Sequence, residues 1–229
     1  IVRTNSEAIL GIKLKKNPKE DFTKGIAISS GFHPDNDTHI EACRYGKGQG
    51  AMSLLATILV GKHDFIPRPM LWLWNIILHP IVFLRSLNPF GIAEKSTYLL
   101  VMQTLGNYMR FDYKRRWWRL GKRSMNSNCN TDQKVPAYIP VANEYTKRMA
   151  EKMNGDPAAS IPEVLLNTST TAHILGGCIM ADSPEKGVTD YRGHIFGYDN
   201  LFVADGSIVP SNLGVNPSLT ITALAEYII

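Results

Sequence analysis

Along the chain the apolar residues fall into patterns of two kinds, some repeating every second residue and others every third or fourth. Residues 1 to about 45 read as strands and turns, with Ile40 and Ala42 alternating with His39, Glu41 and Cys43 on the opposite face. Ser96–Gln103 (STYLLVMQ) is apolar enough to be a buried strand. Met109, Phe111 and Tyr113 alternate with Arg110, Asp112 and Lys114, the mark of a half-exposed strand, and Trp117–Leu120 before Gly121-Lys122 reads as the next strand and its turn. From Val141 to Met153 the period lengthens: Val141, Tyr145, Met149 and Met153 form one stripe, Glu144 is set to pair with Arg148, and Gly155 ends the helix. Asn200–Ala204 (NLFVA) reads as a short strand covered on both faces and stopped by Asp205-Gly206. Asn216 as N-cap and Pro217 at the first helical position open a helix, apolar nearly all round and so expected to be buried, from Leu219 to Ile229.

Two stretches interrupt this order. Gly46-Lys47-Gly48-Gln49-Gly50-Ala51 matches the G-x-G-x-x-A dinucleotide pattern and precedes a helix-like run to Val60. A dinucleotide fold then needs a second parallel strand, whereas Phe65-Ile66-Pro67-Arg68-Pro69 breaks structure, so the match is read as a decoy. Residues 65–92 (FIPRPMLWLWNIILHPIVFLRSLNPFGI) are apolar and aromatic but interrupted by Pro80 and Arg85. They form a buried core helix, a lid over an apolar substrate, or an element lying in a membrane interface, where Trp72, Trp74 and Arg85 would be at home.

Composition narrows the picture only a little. The 229 residues carry a net charge of +5 and 44% hydrophobic residues, ample for a core. Basic residues concentrate at Lys114-Arg115-Arg116, Arg119 and Lys122-Arg123, interleaved with Trp117 and Trp118. That patch could meet a phosphate surface, but no nucleic-acid reader motif accompanies it, and the solvated face of a hairpin is the plainer reading. Cys43, Cys129 and Cys178 have no staple-like spacing, which favours a reducing compartment, cytoplasmic or at a peripheral membrane, over two short sequons at Asn36 and Asn167. His39, Glu41 and Cys43 share a strand face, but the other histidines add no ligand spacing, and an ordinary polar face is expected rather than a metal site. The chain opens at Ile1 without Met or a signal peptide, as though cut from something longer.

The candidate chemistry lies in Thr171–Glu226. His173 can accept and return a proton near neutral pH. The Gly176-Gly177 pair and Gly206 permit close backbone approaches, and the helix behind Pro217 presents a positive end to an anion or an electron-rich ring edge. Here His173-Ile174-Leu175-Gly176-Gly177-Cys178, Val203-Ala204-Asp205-Gly206-Ser207 and Gly214-Val215-Asn216-Pro217-Ser218 through Leu224 resemble the closing segment of glucose-methanol-choline (GMC) oxidoreductases, nearest in form to their cholesterol-oxidase-like branch. Weaker matches at Met102–Asn107 and Ile139–Asn143 extend the likeness upstream.

The resemblance implies an FAD-dependent oxidation of an apolar, sterol-like alcohol, with hydride passing to flavin. It implies catalytic roles for His173 as base and Asn216 as alcohol-orienting group. Asp205 and Gly206 would meet the cofactor's ribityl-phosphate portion, and Asn216, Pro217 and Ser218 its ring. It implies an α+β chain (α/β in the full protein): a mixed-sheet substrate domain with flanking helices over 1–165, and a strand and helix completing an FAD-binding domain over 166–229. The N-terminal FAD-binding βαβ unit is missing from these residues, so the partner would be that remaining part of the same protein and the fragment alone would hold FAD poorly. Bacterial cholesterol oxidases also use a glutamate to move the steroid double bond. Gly50 falls near that position, with Glu41 on the preceding strand, which puts isomerisation in doubt. Three other readings stand beside this one: a GMC dehydrogenase acting on a different alcohol, a non-catalytic lipid- or membrane-binding module using 65–92, and a nucleotide-binding domain using 46–51.

Overall fold

A computed structural model describes residues 1–128 and 131–229; Cys129 lies outside the described residues. In chain order its elements are β1 (Val2–Arg3), β2 (Ala8–Leu14), β3 (Ile28–Phe32), β4 (Thr38–Cys43), β5 (Ala56–Ile58), α1 (Arg68–Leu78), α2 (Pro80–Leu87), β6 (Ser96–Gln103), β7 (Arg110–Arg115), β8 (Arg123–Asn128), α3 (Pro140–Lys152), β9 (Gly155–Ser160), α4 (Ile161–Leu166), β10 (Leu175–Gly176) and α5 (Ser218–Ile228). Helices and sheets are mixed, as the α+β reading expects. Two compact units result: Glu7–Met102 with Pro136–Thr170, and Ile1–Ser6 with Gln103–Val135 and Thr171–Ile229.

The first unit is built on a six-stranded sheet in the order β3-β4-β6-β2-β9-β5. β6 and β2 lie inside it, antiparallel from Ala8↔Val101 to Lys13↔Ser96, which explains why β6 reads as a continuous apolar run. Leu10, Ile12, Ile40, Leu99 and Val101 are buried on the sheet, and Ile139, Ala142 and Ala150 bring α3 against them. The expected stripe of α3 packs here through Val141, Tyr145, Met149 and Met153, and the Glu144–Arg148 pair forms at 2.5 Å. Asn154 in the left-handed region (φ 50°) ends the helix, one residue before the expected Gly155, which starts β9.

Four local expectations are corrected. The apolar run from Ala51 is helical only to Leu55, as a 3₁₀ helix over Gln49–Leu55 that leads into β5, antiparallel to β9, so no parallel dinucleotide-type crossover forms. Gly50 serves packing, since a Cβ there would lie 2.6 Å from the Pro89 carbonyl oxygen. Trp117–Leu120 is not a strand but the 3₁₀ tip of the β7–β8 ribbon, because Leu120 and Gly121 both take positive φ and reverse the chain. Asn200–Ala204 makes one isolated bridge, His194↔Phe202; Asn200 sits at φ 63°, and Leu201 and Phe202 are about half exposed. Finally, α5 is not buried on all sides. Ile221, Leu224 and Ile228, spaced for one helix face, pack on Leu175, Ile208 and Val209, while Leu219 is 81% and Tyr227 63% exposed.

Residues 65–92 fold as α1 and α2, bent by 104° at His79-Pro80, where proline removes a helical N–H and crowds the preceding turn. Among the described residues no single helix is long and apolar enough to cross a membrane; this pair meets that test only when joined across its bend. One side of α1 is packed: Leu71 and Trp72 meet the core, and the Trp72 indole donates to Thr57 Oγ1 at 2.7 Å. The other side is open, with Met70, Leu73, Trp74, Ile77 and Leu78 each more than half exposed, continued on α2 by Ile81 and Leu84. The buried-helix reading therefore accounts for one face alone.

Candidate active site

The three motifs of the C-terminal stretch meet at Gly206. A Cβ on this residue would lie 3.0 Å from Ile221 of α5, 3.3 Å from Leu175 and 3.5 Å from the Ile174 carbonyl oxygen. The backbone after His173 runs beside the Asp205 turn, with Cys178 N donating to Ser207 O and Met180 N to Ile208 O, both at 3.0 Å. Gly176 (φ 75°) and Gly177 (φ 109°) turn the chain between these contacts, a conformation side chains resist. At the turn Asp205 caps Gly206–Ile208 by accepting from Ser207 N at 2.7 Å. The Ser207 hydroxyl and amide hold this carboxyl below the usual aspartate range, so it stays ionised.

His173 and Asn216 are both half-buried and both stand on loops, so polar anchoring has to supply the rigidity that a helix or strand would give. The Thr171 hydroxyl accepts from His173 N at 3.0 Å and donates to Thr4 O at 2.9 Å. β10 then pairs with β1 (Val2↔Gly176, Arg3↔Leu175), and Val2 exchanges two 2.9 Å hydrogen bonds with Met109. On the Asn216 side, Asn5 holds three consecutive backbone groups: its Oδ1 accepts from Leu213 N (2.8 Å) and Gly214 N (3.2 Å), and its Nδ2 donates to Val215 O (2.8 Å). Thr4 and Asn5, neighbours in sequence, thus anchor the loops of both residues.

A second layer fixes this anchor. Asn212 Oδ1 accepts from Thr4 N (3.1 Å) and Asn5 N (3.3 Å), while its Nδ2 donates to Leu105 O (2.6 Å) and Asn107 Oδ1 (2.9 Å); the Ser6 hydroxyl donates to the same Asn107 oxygen. Thr4, Asn5, Ser6, Asn107 and Asn212 are all buried, so their polar groups need these partners. Asn5 and Ser6 both take positive φ (54° and 48°), an unusual pair that the network sustains. Gly214 (φ 69°) passes so close to Thr104 that a Cβ would lie 2.4 Å from its methyl group.

The helix behind this loop starts at Ser218, one residue later than expected, with Pro217 in the cap position and no capping side chain. Its first-turn N–H groups and positive dipole end are therefore suited to an electron-rich group. The structure brings His173, Asp205, Gly206, Asn216, Pro217 and Ser218 into one compact unit. Sequence reasoning missed the anchor of Thr4, Asn5, Asn107 and Asn212. The only local sign was asparagine recurring in short polar breaks between apolar segments, a pattern that ordinary turns share.

The sheet unit offers a cleft of different character, lined among others by Gly11, Tyr45, Met52, Leu55, Tyr98 and Ala158. Tyr45 and Tyr98 meet edge-on at 4.5 Å. Burial, with Tyr45 beside it, pushes the Tyr98 phenol up to about 12, so the ring is neutral at ordinary pH. On β4, Glu41 is buried beside His39 at 3.7 Å, and no group of three or more potential metal ligands converges among the described residues.

The family model described as GMC oxidoreductase matches residues 108–225. A cholesterol oxidase of Acinetobacter baumannii is 46% identical over 226 residues, covering 98% of this chain and 40% of that protein. A cholesterol oxidase of Mycobacterium tuberculosis (strain ATCC 25618 / H37Rv) is 42% identical over 231 residues, covering 99% and 39%. An FAD-dependent oxidoreductase from Chaetomium thermophilum is similar in structure with a TM-score of 0.46 at 15% identity, covering 99% of this chain and 46% of that one. The chain spans about two fifths of the length of the cholesterol oxidases it matches.

Proposed function

Because this chain belongs to the GMC oxidoreductase family, we propose that it is the substrate-binding and catalytic part of an FAD-dependent enzyme oxidising the CH–OH group of an apolar, sterol-like alcohol. The observation that carries the reading is the shared anchoring of the His173 and Asn216 loops by Thr4 and Asn5. A base and an alcohol-orienting amide on separate loops need such common bracing to keep a reactive geometry. In the reaction His173 takes the hydroxyl proton and Asn216 fixes the alcohol oxygen by a hydrogen bond. The bound flavin supplies the hydride acceptor. Pro217 and Ser218, at the α5 N-terminus, would hold the electron-rich edge of that cofactor, and the positive helix end would stabilise the charge it gains, an electrostatic contribution of the kind that often dominates. Asp205 and Gly206 would hold the cofactor's ribityl-phosphate portion through a close backbone approach. The cleft lined by Tyr45, Met52, Leu55 and Tyr98 offers the uncharged surroundings that an apolar alcohol needs.

The remaining, N-terminal part of the protein is the natural cover for the exposed side of α5 and a strand partner for the Leu201–Phe202 region. Gly50 lies near the position of the isomerising glutamate and Glu41 is buried beside His39, which leaves isomerisation in doubt, whereas oxidation of the hydroxyl needs only His173, Asn216 and the flavin. The test is anaerobic bleaching of the flavin in the full-length protein by a sterol, with short-chain alcohols and sugars alongside. His173→Ala should slow flavin reduction by about 100-fold or more. Near-normal reduction in that variant would remove His173 from the reaction. A second reading concerns location and is favoured by the open face of α1 and α2: this face rests on a lipid surface, from which an apolar alcohol could be drawn. Replacing Leu73, Trp74 and Ile77 by serine should weaken binding to neutral phosphatidylcholine vesicles and leave flavin reduction by a detergent-dissolved sterol unchanged.

A further inference from the structure

The β7–β8 ribbon is the most unevenly charged element of the chain. Residues 110–123 hold seven of the 25 lysines and arginines and one of the 20 acidic residues, so they carry +6 while the rest of the chain sums to −1. Asp112 engages Lys114 at 3.3 Å and Arg116 by a short ion pair. Arg115, Arg119, Lys122 and Arg123 are exposed and enter no ion pair among the described residues. Arg115 and Arg123 also stand directly opposite each other across the ribbon, an arrangement that repels in water and becomes favourable only around an anion.

The apolar groups are placed just as unusually. Trp117 is 85% and Leu120 93% exposed at the tip, and Leu120 sits there in the left-handed region (φ 53°, ψ 39°). The tip is nevertheless ordered by backbone bonds, from Gly121 N to Arg116 O at 3.0 Å and from Arg116 N to Lys122 O at 3.2 Å. Next to the arginine pair, the cross-strand neighbours Tyr113 and Met125 are 65% and 68% exposed. Charge that serves only to guard a free strand edge could be of either sign and would not be joined to a protruding tryptophan and leucine.

We propose that this ribbon docks on an anionic lipid surface, with Trp117 and Leu120 entering the headgroup–acyl boundary and Arg115, Arg119, Lys122 and Arg123 pairing with lipid phosphates and carboxylates. An apolar insertion and a polybasic patch are the two signals whose combination gives stable surface attachment. Tryptophan is at home at that depth. A nucleic acid would use the cations but gives Leu120 and Met125 no ring-stacking role. The proposal stands apart from the reading of the active site and from the uncharged α1–α2 face, because it alone requires anionic lipid and salt sensitivity.

The test is co-sedimentation of the full-length protein with phosphatidylcholine vesicles, with and without phosphatidylserine. Phosphatidylserine should tighten binding about ten-fold or more. That gain should fade at ~1 M salt, where the screening length falls to about 3 Å. Neutralising the four cations together (R115Q, R119Q, K122Q, R123Q) should abolish the gain and leave binding to neutral vesicles unchanged. Leu120→Gly, which suits the left-handed position, should weaken binding without unfolding the tip. As a readout independent of the folding of any charge variant, brominated lipid should quench wild-type tryptophan fluorescence more than that of Trp117→Phe. Equal binding to both vesicle types, an unchanged phosphatidylserine gain in the four-cation variant, equal quenching in both proteins, or a single-stranded oligonucleotide that displaces the vesicles would each overturn the proposal.

Discussion

The two units of this chain are held together by different physics. In the sheet unit, Leu10, Ile12, Ile40, Leu99 and Val101 sit in a continuous apolar core, whose stabilisation depends on area and fill rather than on direction. In the unit that carries the candidate site, the apolar clusters are small, and residues 4–6, 105–107 and 212–215 are locked by buried amide and hydroxyl hydrogen bonds. Packing of the first kind tolerates volume-conserving change. Networks of the second kind fix position closely and fail when one member is lost, because each abandoned partner is left buried and unsatisfied. A site that must hold a base and an amide on separate loops needs the second kind.

The sheet unit has one exception, and it sharpens the contrast most. Arg68 and Glu163, 6% and 3% exposed, pair at 2.8 Å, and the guanidinium also donates to the carbonyls of Val60, Ala137 and Glu163, tying the start of α1 to α4. Burial pushes the Glu163 carboxyl up against the pull of Arg68. Arg68→Met should cost about 3–5 kcal/mol, since it leaves a buried carboxylate without its cation. The double variant Arg68→Met/Glu163→Leu should recover most of that loss. Urea midpoints of the single and double variants decide the matter; equal loss in both would mean that the carbonyl contacts, not the ion pair, hold α1.

In the site unit the corresponding variant is Asn5→Ala. It removes three hydrogen bonds to Leu213, Gly214 and Val215 and places alanine at φ 54°, for an expected loss of about 3 kcal/mol. Asn5→Gly accepts that backbone angle and so isolates the side chain's share. Both variants should lower kcat well beyond what their Tm values explain, because the Asn216 loop loses its brace while His173 keeps Thr171. Activity that merely followed folded fraction would reduce Asn5 to a stability residue.

This contrast also decides what could be read from the sequence. Apolar periodicity located β6 and α3 nearly to the residue, because non-directional packing leaves its period in the chain. The His173, Asp205 and Asn216 motifs were legible because close backbone approaches force glycine and proline into fixed places, as at Gly176, Gly206 and Pro217. Where burial needs a partner from elsewhere, the reading failed. Asn200–Ala204 has the composition of a covered strand yet makes one bridge, and α5 is apolar all round yet packs by one face. The Asn5–Asn107–Asn212 network was invisible for another reason: it joins residues more than 100 positions apart, and asparagine carries no periodic signal.

The smallest expected effect returns to the sheet and reads its cleft by pH. Tyr98 lies across the sheet from Gly11, where a Cβ would come within 3.3 Å of the ring, so the phenol is 8% exposed beside Tyr45. Burial raises its pKa from 10.0 to about 12, and burial also raises that of Tyr45. A folded-state pKa above the unfolded value means stabilisation that is complete below pH ~10 and is lost as pH rises through ~12, because the unfolded chain gives up its proton first. Stability measured by urea titration should therefore fall across this window in the wild type. Tyr98→Phe keeps the ring over Gly11 and should flatten most of that slope, leaving the part due to Tyr45. An unchanged slope would show that Tyr98 is hydrated in solution, and with it the cleft whose dryness the apolar-alcohol reading requires.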